Sequence, residues 1–284
     1  MGDRESLIRN ISDTALWAAA YRALESDRPD AVFRDRFARR LAGERGEKTM
    51  KLQPGGTRHA WAWVSRTWLF DQFIAQQIRE GVDAVINLAA GLDTRPYRMD
   101  LPGSFKWIEV DLPDLLAYKH EVMKDERPRC DLETVSMDLA DVDARRILFG
   151  RVAAKARNVL ILTEGILIYL TESEVSALAH DLGRHPSIRR WVAEITSPGL
   201  LRLLQREVGG LVRQGGAEFK FGPEQGPDFF TPLGWRPIEV RSLLKAGARI
   251  RRLPLFMRLI ATLPEARKPP ASRPWSGVCL FERT

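Results

Sequence analysis

Apolar residues recur along the chain with a period that changes near residue 81. Up to residue 80 they lie three or four positions apart, which predicts helices. The first helix is expected to begin at Ser12-Asp13, the second at Asp30 with a stop at Gly43, and a long third one to run from about Thr57 to Glu80. We therefore expect a helical N-terminal segment over residues 1–80.

After Gly81 short apolar runs alternate with helical patterns. The strand candidates are residues 83–88, 105–110, 132–137, 158–163 and 190–195, and helices are predicted at 113–124, 142–149 and 171–183. Strands that alternate with helices predict stacked βαβ units and a parallel sheet. Because crossovers are right-handed, the helices should cover both faces of this sheet.

The alternation of strand and helix patterns ends after residue 198. Residues 198–230 contain a helix pattern at 200–212 and a glycine- and proline-rich loop, which we interpret as a helical insertion that could act as a lid. A helix at 237–247, a strand at 249–253 and a last strand at 277–281 are predicted to follow. The expected fold is thus α/β, with a Rossmann-like, doubly wound, mostly parallel seven-stranded sheet over residues 81–284.

Composition and charge narrow the function classes. Lys and Arg number 44 and Asp and Glu 37, for a net charge of +7. Most basic residues are interleaved with acids, which favours a solvated surface over a nucleic-acid interface. One segment is locally basic: Arg249, Arg251, Arg252, Arg258, Arg267, Lys268 and Arg273.

Cysteines, histidines and long apolar runs are sparse. The two cysteines, Cys130 and Cys279, are too far apart for a disulfide scaffold, and no histidine or cysteine spacing typical of a metal site occurs. No apolar run is long enough to span a bilayer. We expect a cytoplasmic protein without a metal and without a membrane partner.

Small or acidic residues stand where the predicted parallel strands end. The first strand ends in Ala89-Ala90-Gly91, and the next three end at Asp111, Asp138 and Glu164. Ligands of open α/β sheets bind at these strand ends, so the acids should converge. Asp111 follows Gly91 by 20 residues, the spacing at which a carboxylate accepts hydrogen bonds from ribose hydroxyls.

The turn after the first strand lacks the full G-x-G-x-x-G pattern, and Asp93 lies beside it. A carboxylate there disfavours a pyrophosphate. A nucleoside with a cationic centre and no phosphates fits better, and S-adenosylmethionine is such a molecule.

Five segments in order carry a family resemblance. They are residues 65–71 (SRTWLFD), 87–95 (NLAAGLDTR), 107–113 (WIEVDLP), 138–139 (DL) and 163–169 (TEGILIY). The chain resembles the leucine carboxyl methyltransferase-like branch of class I S-adenosylmethionine-dependent methyltransferases, which includes bacterial small-molecule and polyketide O-methyltransferases. The resemblance covers most of the chain.

The resemblance implies a role for each cofactor-binding residue. Arg66 would bind the methionine carboxylate, Gly91 would allow close approach of the backbone, and Asp111 would bind the ribose. Asp138-Leu139 would hold the adenine, and Glu164 would face the ammonium or sulfonium group. The cofactor would be S-adenosylmethionine and its product S-adenosylhomocysteine, with no metal.

Two further positions follow from the resemblance. Ala89 stands where the family has the first glycine of Gly-Ala-Gly, and an alanine is expected there to keep a negative φ. Tyr169 matches a tyrosine that lies near the acceptor carboxylate in the family, so it is the candidate for positioning the acceptor.

Structural interpretations of these residues stay open. Asp111 and Asp138 could each cap a helix. Arg66 could form an ion pair with Asp71 or Glu80, Glu164 could form a structural ion pair, and Tyr169 could pack in the core.

The function expected is an O-methyltransferase that acts on a carboxylate or hydroxyl of a small molecule. A carboxylate needs no general base at neutral pH. Arg95, Arg98 or the C-terminal basic segment could attract it. The alternatives are an NAD-dependent oxidoreductase and a non-catalytic nucleoside-sensing or nucleic-acid-binding protein on the same fold, although nucleic acid is not the expected partner.

Overall fold

A computed structural model describes residues 13–53, 55–264 and 271–284. Ser12 of the predicted first helix start, and Arg267 and Lys268 of the basic segment, lie outside these ranges.

Seven strands form one sheet in the order β3-β2-β1-β4-β5-β7-β6. The strands are β1 Ala84–Leu88, β2 Lys106–Asp111, β3 Asp131–Ser136, β4 Val159–Thr163, β5 Ile188–Thr196, β6 Trp235–Ser242 and β7 Ser276–Arg283. Strands β1 to β5 pair in parallel, while β7 is antiparallel to both β5 and β6. At the centre, Ile86 is in register with Ile108 and Ile161. The predicted fold class is confirmed, including the helical insertion after the fifth strand.

Helices occupy most of the remaining chain. They are α1 Asp13–Ser26, α2 Ala38–Leu52, α3 Ala60–Arg79, α4 Arg95–Arg98, α5 Pro113–Met123, α6 Val142–Ala153, α7 Glu172–Gly183, α8 Pro198–Glu207, α9 Gly209–Gln214, α10 Leu243–Arg249 and α11 Leu255–Thr262, with 3₁₀ turns at Gly56–His59, Leu167–Tyr169 and Gly226–Leu233. Helix α7 begins with the capping box of Thr171 and Glu174. The insertion pattern at 200–212 is divided between α8 and α9.

The two faces of the sheet bury separate apolar cores. Alternate residues of a strand point to opposite faces, so Ile86 and Ile161 pack with Phe149 of α6 on one side. Val85 and Leu160 pack with residues of α3 and α10 on the other side. Helix α3 therefore covers the sheet directly, and the division of the chain at residue 80 stays a prediction.

The second helix begins later than predicted. Residues 30–37 are irregular because the buried Asp35 carboxylate accepts hydrogen bonds from Arg22, Thr94 and the Phe37 backbone. Helix α2 starts only at Ala38. Gly43, the predicted stop, has φ 58° and kinks a helix that continues to Leu52.

The helix predicted at 237–247 is present only from residue 243 onward, and the strand predicted at 249–253 was wrong. Residues 235–242 form the edge strand β6, where Pro237 is tolerated next to a register shift. The Ser242 side chain caps α10 by accepting from the Lys245 backbone N–H at 3.3 Å. The predicted strand at 249–253 is instead the end of α10 and a turn, in which Arg251 has φ 58°.

The turn after β1 holds an alanine in a left-handed conformation. Ala89 has φ 53° and Gly91 has φ 54°. The expectation of a negative φ at Ala89 was therefore wrong. An L-residue in this region pays about 1–2 kcal/mol because its Cβ crowds the carbonyl oxygen.

Replacing Ala89 with Gly should relieve this strain. After the loss of about 0.5–1 kcal/mol for the greater flexibility of glycine in the unfolded chain, we expect the free energy of unfolding to rise by up to about 1 kcal/mol. Ala90, which is buried and has no positive φ, is the matched control, and Ala90→Gly should lower the free energy of unfolding. Denaturant titration measures both, and equal destabilisation by the two variants would contradict a strained Ala89.

Candidate functional site

A cavity of about 1320 Å³ lies at the carboxyl ends of the parallel strands, below α1, α3 and α8. All the residues predicted for the site line it: Arg66, Ala89, Gly91, Asp111, Asp138, Leu139, Glu164 and Tyr169. The sequence-based expectation that the strand ends converge agrees with this arrangement, and the individual roles stay predictions.

Asp111 ties the ends of two neighbouring strands together. Its carboxylate accepts hydrogen bonds from the backbone N–H of Gly91 at 2.6 Å and from that of Leu112 at 2.7 Å. Burial raises the pKa of Asp111, although both bonds oppose the shift. The N-cap of α5 is Leu112 and has no side-chain bond, so Asp111 is not a helix cap. It organises the turn after β1 and faces the cavity.

Asp138 and Leu139 form a turn on the cavity wall. The exposed Asp138 carboxylate accepts from the Ala140 N–H at 2.9 Å. Helix α6 is capped by Asp141 rather than by Asp138. The Leu139 carbonyl oxygen accepts from Arg145, whose guanidinium pairs with the buried Asp181. Arg145 thus holds the turn in place.

Arg66 lies between two glutamates. Its guanidinium contacts Glu164 at 3.0 Å and Glu194 at 3.1 Å, and it stacks over Trp63. Neither Asp71 nor Glu80 is its partner, so that alternative was wrong. Burial would lower the pKa of Arg66, but Glu194 and Glu164 raise it.

Gly165 makes room for this guanidinium. It has φ 72°, and a Cβ there would lie 3.1 Å from Arg66 Nη1. A glycine is therefore needed at this position, both for the positive φ and for the space that the Arg66 guanidinium occupies.

Glu194 was missed at the sequence level. It interrupts the apolar run of β5 in the same way that Glu164 ends the apolar β4. A carboxylate within a buried strand is costly unless it is paired, and this signal could have identified it.

Arg95 and Arg98 are buried ion-pair partners and not a free cationic surface. The Arg95 side chain is 4% exposed and contacts Asp71 at 2.7 Å, Glu164 at 2.8 Å and Asp93 at 2.9 Å. Arg98 also pairs with Asp71, at 2.7 Å. The expectation that these two arginines attract the acceptor was wrong, because their guanidinium groups are occupied by carboxylates.

These contacts form one ion-pair network. Its members are Arg66, Asp71, Asp93, Arg95, Arg98, Glu164 and Glu194. Four carboxylates and three guanidinium groups leave the network with a net charge of −1. It therefore favours a ligand that carries net positive charge.

Part of the C-terminal basic segment is also engaged in ion pairs. Arg252 contacts Glu25 in α1 with two nitrogens, at 2.8 and 2.9 Å, and reaches Asp30 at 3.1 Å. Its side chain is largely buried, so it joins the N-terminal helices to the C-terminal part of the chain.

Tyr169 faces the cavity from the 3₁₀ turn after β4. Its ring centroid lies 5.4 Å from that of Phe219. Burial raises the pKa of the Tyr169 hydroxyl to about 12, so the phenol is protonated at neutral pH and can donate a hydrogen bond. Packing and acceptor positioning are both compatible with this geometry.

Metal-ligand clusters and membrane-spanning helices are absent from the part of the chain that the structure describes. No group of three or more potential metal ligands occurs there. None of its helices has the length and hydropathy to cross a membrane.

Comparison with known proteins assigns the family. The sequence pattern of the leucine carboxyl methyltransferase family matches residues 15–183. The chain belongs to the leucine carboxyl methyltransferase family. Three bacterial relatives carry the name of S-adenosyl-L-methionine-dependent methyltransferases.

The relatives cover much of the chain. The protein from Parafrankia sp. (strain EAN1pec) is 32% identical over 87% of this chain and 84% of its own length. The relative from Streptomyces coelicolor is 32% identical over 78% of this chain and 80% of its own length. The relative from Rhodococcus jostii is 34% identical over 70% of this chain and 66% of its own length. The protein is thus an S-adenosylmethionine-dependent methyltransferase.

Solved structures support the fold. A DUF574 family protein from Streptomyces avermitilis has a TM-score of 0.56 at 11% identity and covers 94% of this chain and 97% of its own. A protein from Thermobifida fusca that is described as a methyltransferase has a TM-score of 0.56 at 13% identity, over 98% and 96%.

Asp93 gives the network a measurable pH dependence. Burial alone would raise the pKa of Asp93, but Arg95, Lys119 and Arg98 lower it to about 2. A lowered pKa in the folded state adds stability above the ordinary value of 3.8, and this stability is lost as the pH falls towards 2. At one pKa unit per 1.36 kcal/mol, the contribution is about 2 kcal/mol.

We expect Asp93→Asn to lower the free energy of unfolding by about 2 kcal/mol at pH 7. The loss should become progressively smaller below about pH 4, where the Asp93 carboxylate of the unfolded wild-type chain begins to be protonated. The exposed Asp125 provides the control Asp125→Asn, with a change within about 0.5 kcal/mol. Denaturant unfolding at several pH values tests this, and a loss that is the same at pH 7 and pH 3 would contradict it.

Proposed function

We propose that this methyltransferase transfers the methyl group of S-adenosylmethionine to an oxygen atom, a carboxylate or hydroxyl, of a small molecule. The main support is the cavity, which brings the eight predicted residues together and has space left beyond them. Single-ligand pockets commonly measure about 300–1,000 Å³, whereas this one is about 1320 Å³. A cofactor and an acceptor can therefore occupy it together.

The residues present fit the cofactor chemically. Asp111 and the left-handed Gly91 lie where a ribose would approach the backbone. The net −1 charge of the ion-pair network complements the net +1 charge of S-adenosylmethionine, which has one carboxylate, one ammonium and one sulfonium group. Arg66 contacts Glu164 through Nε and Glu194 through Nη1, so its Nη2 would take the methionine carboxylate. Glu164 would take the ammonium.

Part of the remaining wall of the cavity is apolar and suits an organic acceptor. It comprises Leu200, Leu203, Leu204, Phe219, Met257, Ile260, Leu263 and Trp275. Where these side chains enclose a ligand they reduce its contact with water, which strengthens the electrostatic interactions inside the site. Tyr169 next to Phe219 would donate a hydrogen bond to an acceptor oxygen and orient it.

When bound, S-adenosylmethionine supplies an electrophilic methyl group on sulfur. The protein then contributes by holding the acceptor oxygen in line with the sulfur–methyl bond. A carboxylate acceptor needs no proton removed. A hydroxyl acceptor would also need a carboxylate to accept its proton, and several line the cavity, Glu194 among them.

Ligand-dependent thermal unfolding tests the cofactor. A ligand at about 100 times its Kd stabilises the folded state by about 2.7 kcal/mol, so S-adenosylmethionine and S-adenosylhomocysteine should raise Tm by several degrees, and NAD should not. Asp111→Asn, which keeps one oxygen for the turn, should lose most of this shift. The control is Asp114→Asn, since Asp114 is exposed on α5. A normal shift in Asp111→Asn would overturn the ribose assignment, and a shift with NAD alone would favour the oxidoreductase alternative.

Acceptor chemistry is tested by incubation with isotopically labelled S-adenosylmethionine and panels of apolar carboxylic acids, phenols and amines. We expect methyl esters or methyl ethers as products. Tyr169→Phe should lower kcat/KM for the acceptor by about tenfold, equivalent to one hydrogen bond of about 1.4 kcal/mol, and leave S-adenosylhomocysteine binding unchanged. Exclusive N-methylation would refute transfer to oxygen, and an unchanged kcat/KM would leave Tyr169 with a packing role.

A further inference from the structure

Helix α11 exposes an apolar face to solvent. Leu255, Phe256, Leu259, Ile260 and Leu263 are each between 51% and 78% exposed. At about 100° per residue they fall within about 140° of the helix circumference. Ala261, on the opposite side, is buried. A surface helix normally directs its apolar residues inward, whereas α11 exposes large apolar residues.

The helix is held in this orientation by polar contacts at its C-terminal end. The Lys245 ammonium donates to the carbonyl oxygens of Ala261 and Leu263, both at 2.6 Å. These two bonds satisfy carbonyl groups that a helix end leaves open. The apolar face is therefore fixed outward by the fold.

Basic residues lie close to the apolar face in the sequence. Residues 240–264 contain six basic residues and no acidic one. Arg249, Arg251 and Arg258 are exposed, and within the described ranges they form no ion pair with a carboxylate. Arg252 differs from them because it is buried against Glu25.

The apolar face is continuous with the wall of the cavity. Met257, Ile260 and Leu263 line the cavity from α11, as does Arg273 beyond it. Leu203 of α8, which is 37% exposed, lies on the same wall. Ile260, and Leu263 directly after the helix, belong both to the exposed face and to the cavity wall, so the exposed face extends to the cavity.

We propose that α11 docks the protein on an anionic lipid bilayer, with Leu255, Phe256 and Leu259 entering the interface and the arginines close to them in the sequence contacting the lipid headgroups. Short helices with an apolar face and flanking arginines bind in this way. This proposal revises the expectation that no membrane partner exists. It concerns peripheral binding and does not depend on the methyl-transfer reaction.

A second copy of the chain fits the face less well. An eight-residue helix is about 12 Å long and about 10 Å wide, much less than the roughly 800 Å² per partner of a stable interface. A two-fold dimer would also place the same arginines opposite one another.

Vesicle flotation with the full chain tests the proposal. We expect flotation with vesicles of phosphatidylcholine and phosphatidylglycerol, little with phosphatidylcholine alone, and weaker binding at high salt. Phe256→Glu with Leu259→Glu should reduce the bound fraction at least tenfold. Ile147→Glu is the matched control, because Ile147 is 71% exposed on α6, and it should bind as the wild type does.

A charge series separates the contribution of the arginines. Arg251→Gln with Arg258→Gln should weaken binding to the anionic vesicles, and Arg189→Gln, an exposed control on β5, should not. The thermal shift with S-adenosylhomocysteine monitors folding of every variant independently. Absence of wild-type flotation, or equal loss in the Ile147→Glu control, would overturn the proposal. So would light scattering that shows a dimer that the Phe256→Glu and Leu259→Glu changes dissociate, since this would assign the face to self-association.

Discussion

The buried guanidinium of Arg95 is the interaction on which the site depends most. It pairs with Asp71 from α3, Asp93 from the turn after β1 and Glu164 at the end of β4. Three elements that are far apart in the sequence are thereby fixed around one charge. A buried ion that loses its partners costs several kcal/mol, so the network constrains the positions of these elements strongly. Five members of the network, Arg66, Asp93, Arg95, Glu164 and Glu194, also line the cavity.

Much of the fold and part of the site could be predicted from the sequence, since both rest on local patterns. Apolar runs that end in Asp111 and Glu164 give strands and strand ends directly. Residues 30–37 and 249–253 were mispredicted because tertiary contacts decide their structure. The Asp35 carboxylate, for example, accepts hydrogen bonds from the distant Arg22 and Thr94 as well as from the nearby Phe37 N–H. Arg95 was assigned to a cationic surface because its three carboxylate partners meet only in the folded chain.

The turn at Ala89 and the ion-pair network both fix the backbone at the ends of the strands. Ala89 is held at φ 53° beside a strand end that Asp111 fixes through Gly91. A strained backbone conformation of this kind persists only where the surrounding contacts hold it in place. Such conformations are found mainly at binding and active sites. Here the surroundings are two hydrogen bonds to one carboxylate and a set of buried ion pairs. Both keep the backbone of the strand ends close to where a ligand would lie.

The contact between Arg252 and Glu25 has a consequence for how the protein is made. The two residues are 227 positions apart, and α1, which carries Glu25, also provides Thr14, Ala15, Trp17 and Ala18 to the cavity wall. During synthesis the first five strands leave the ribosome before Arg252 does. Strand β7, which completes the sheet between β5 and β6, follows later still. Closing such long loops is slow, so the wall that α1 forms should become rigid only once the chain is nearly complete.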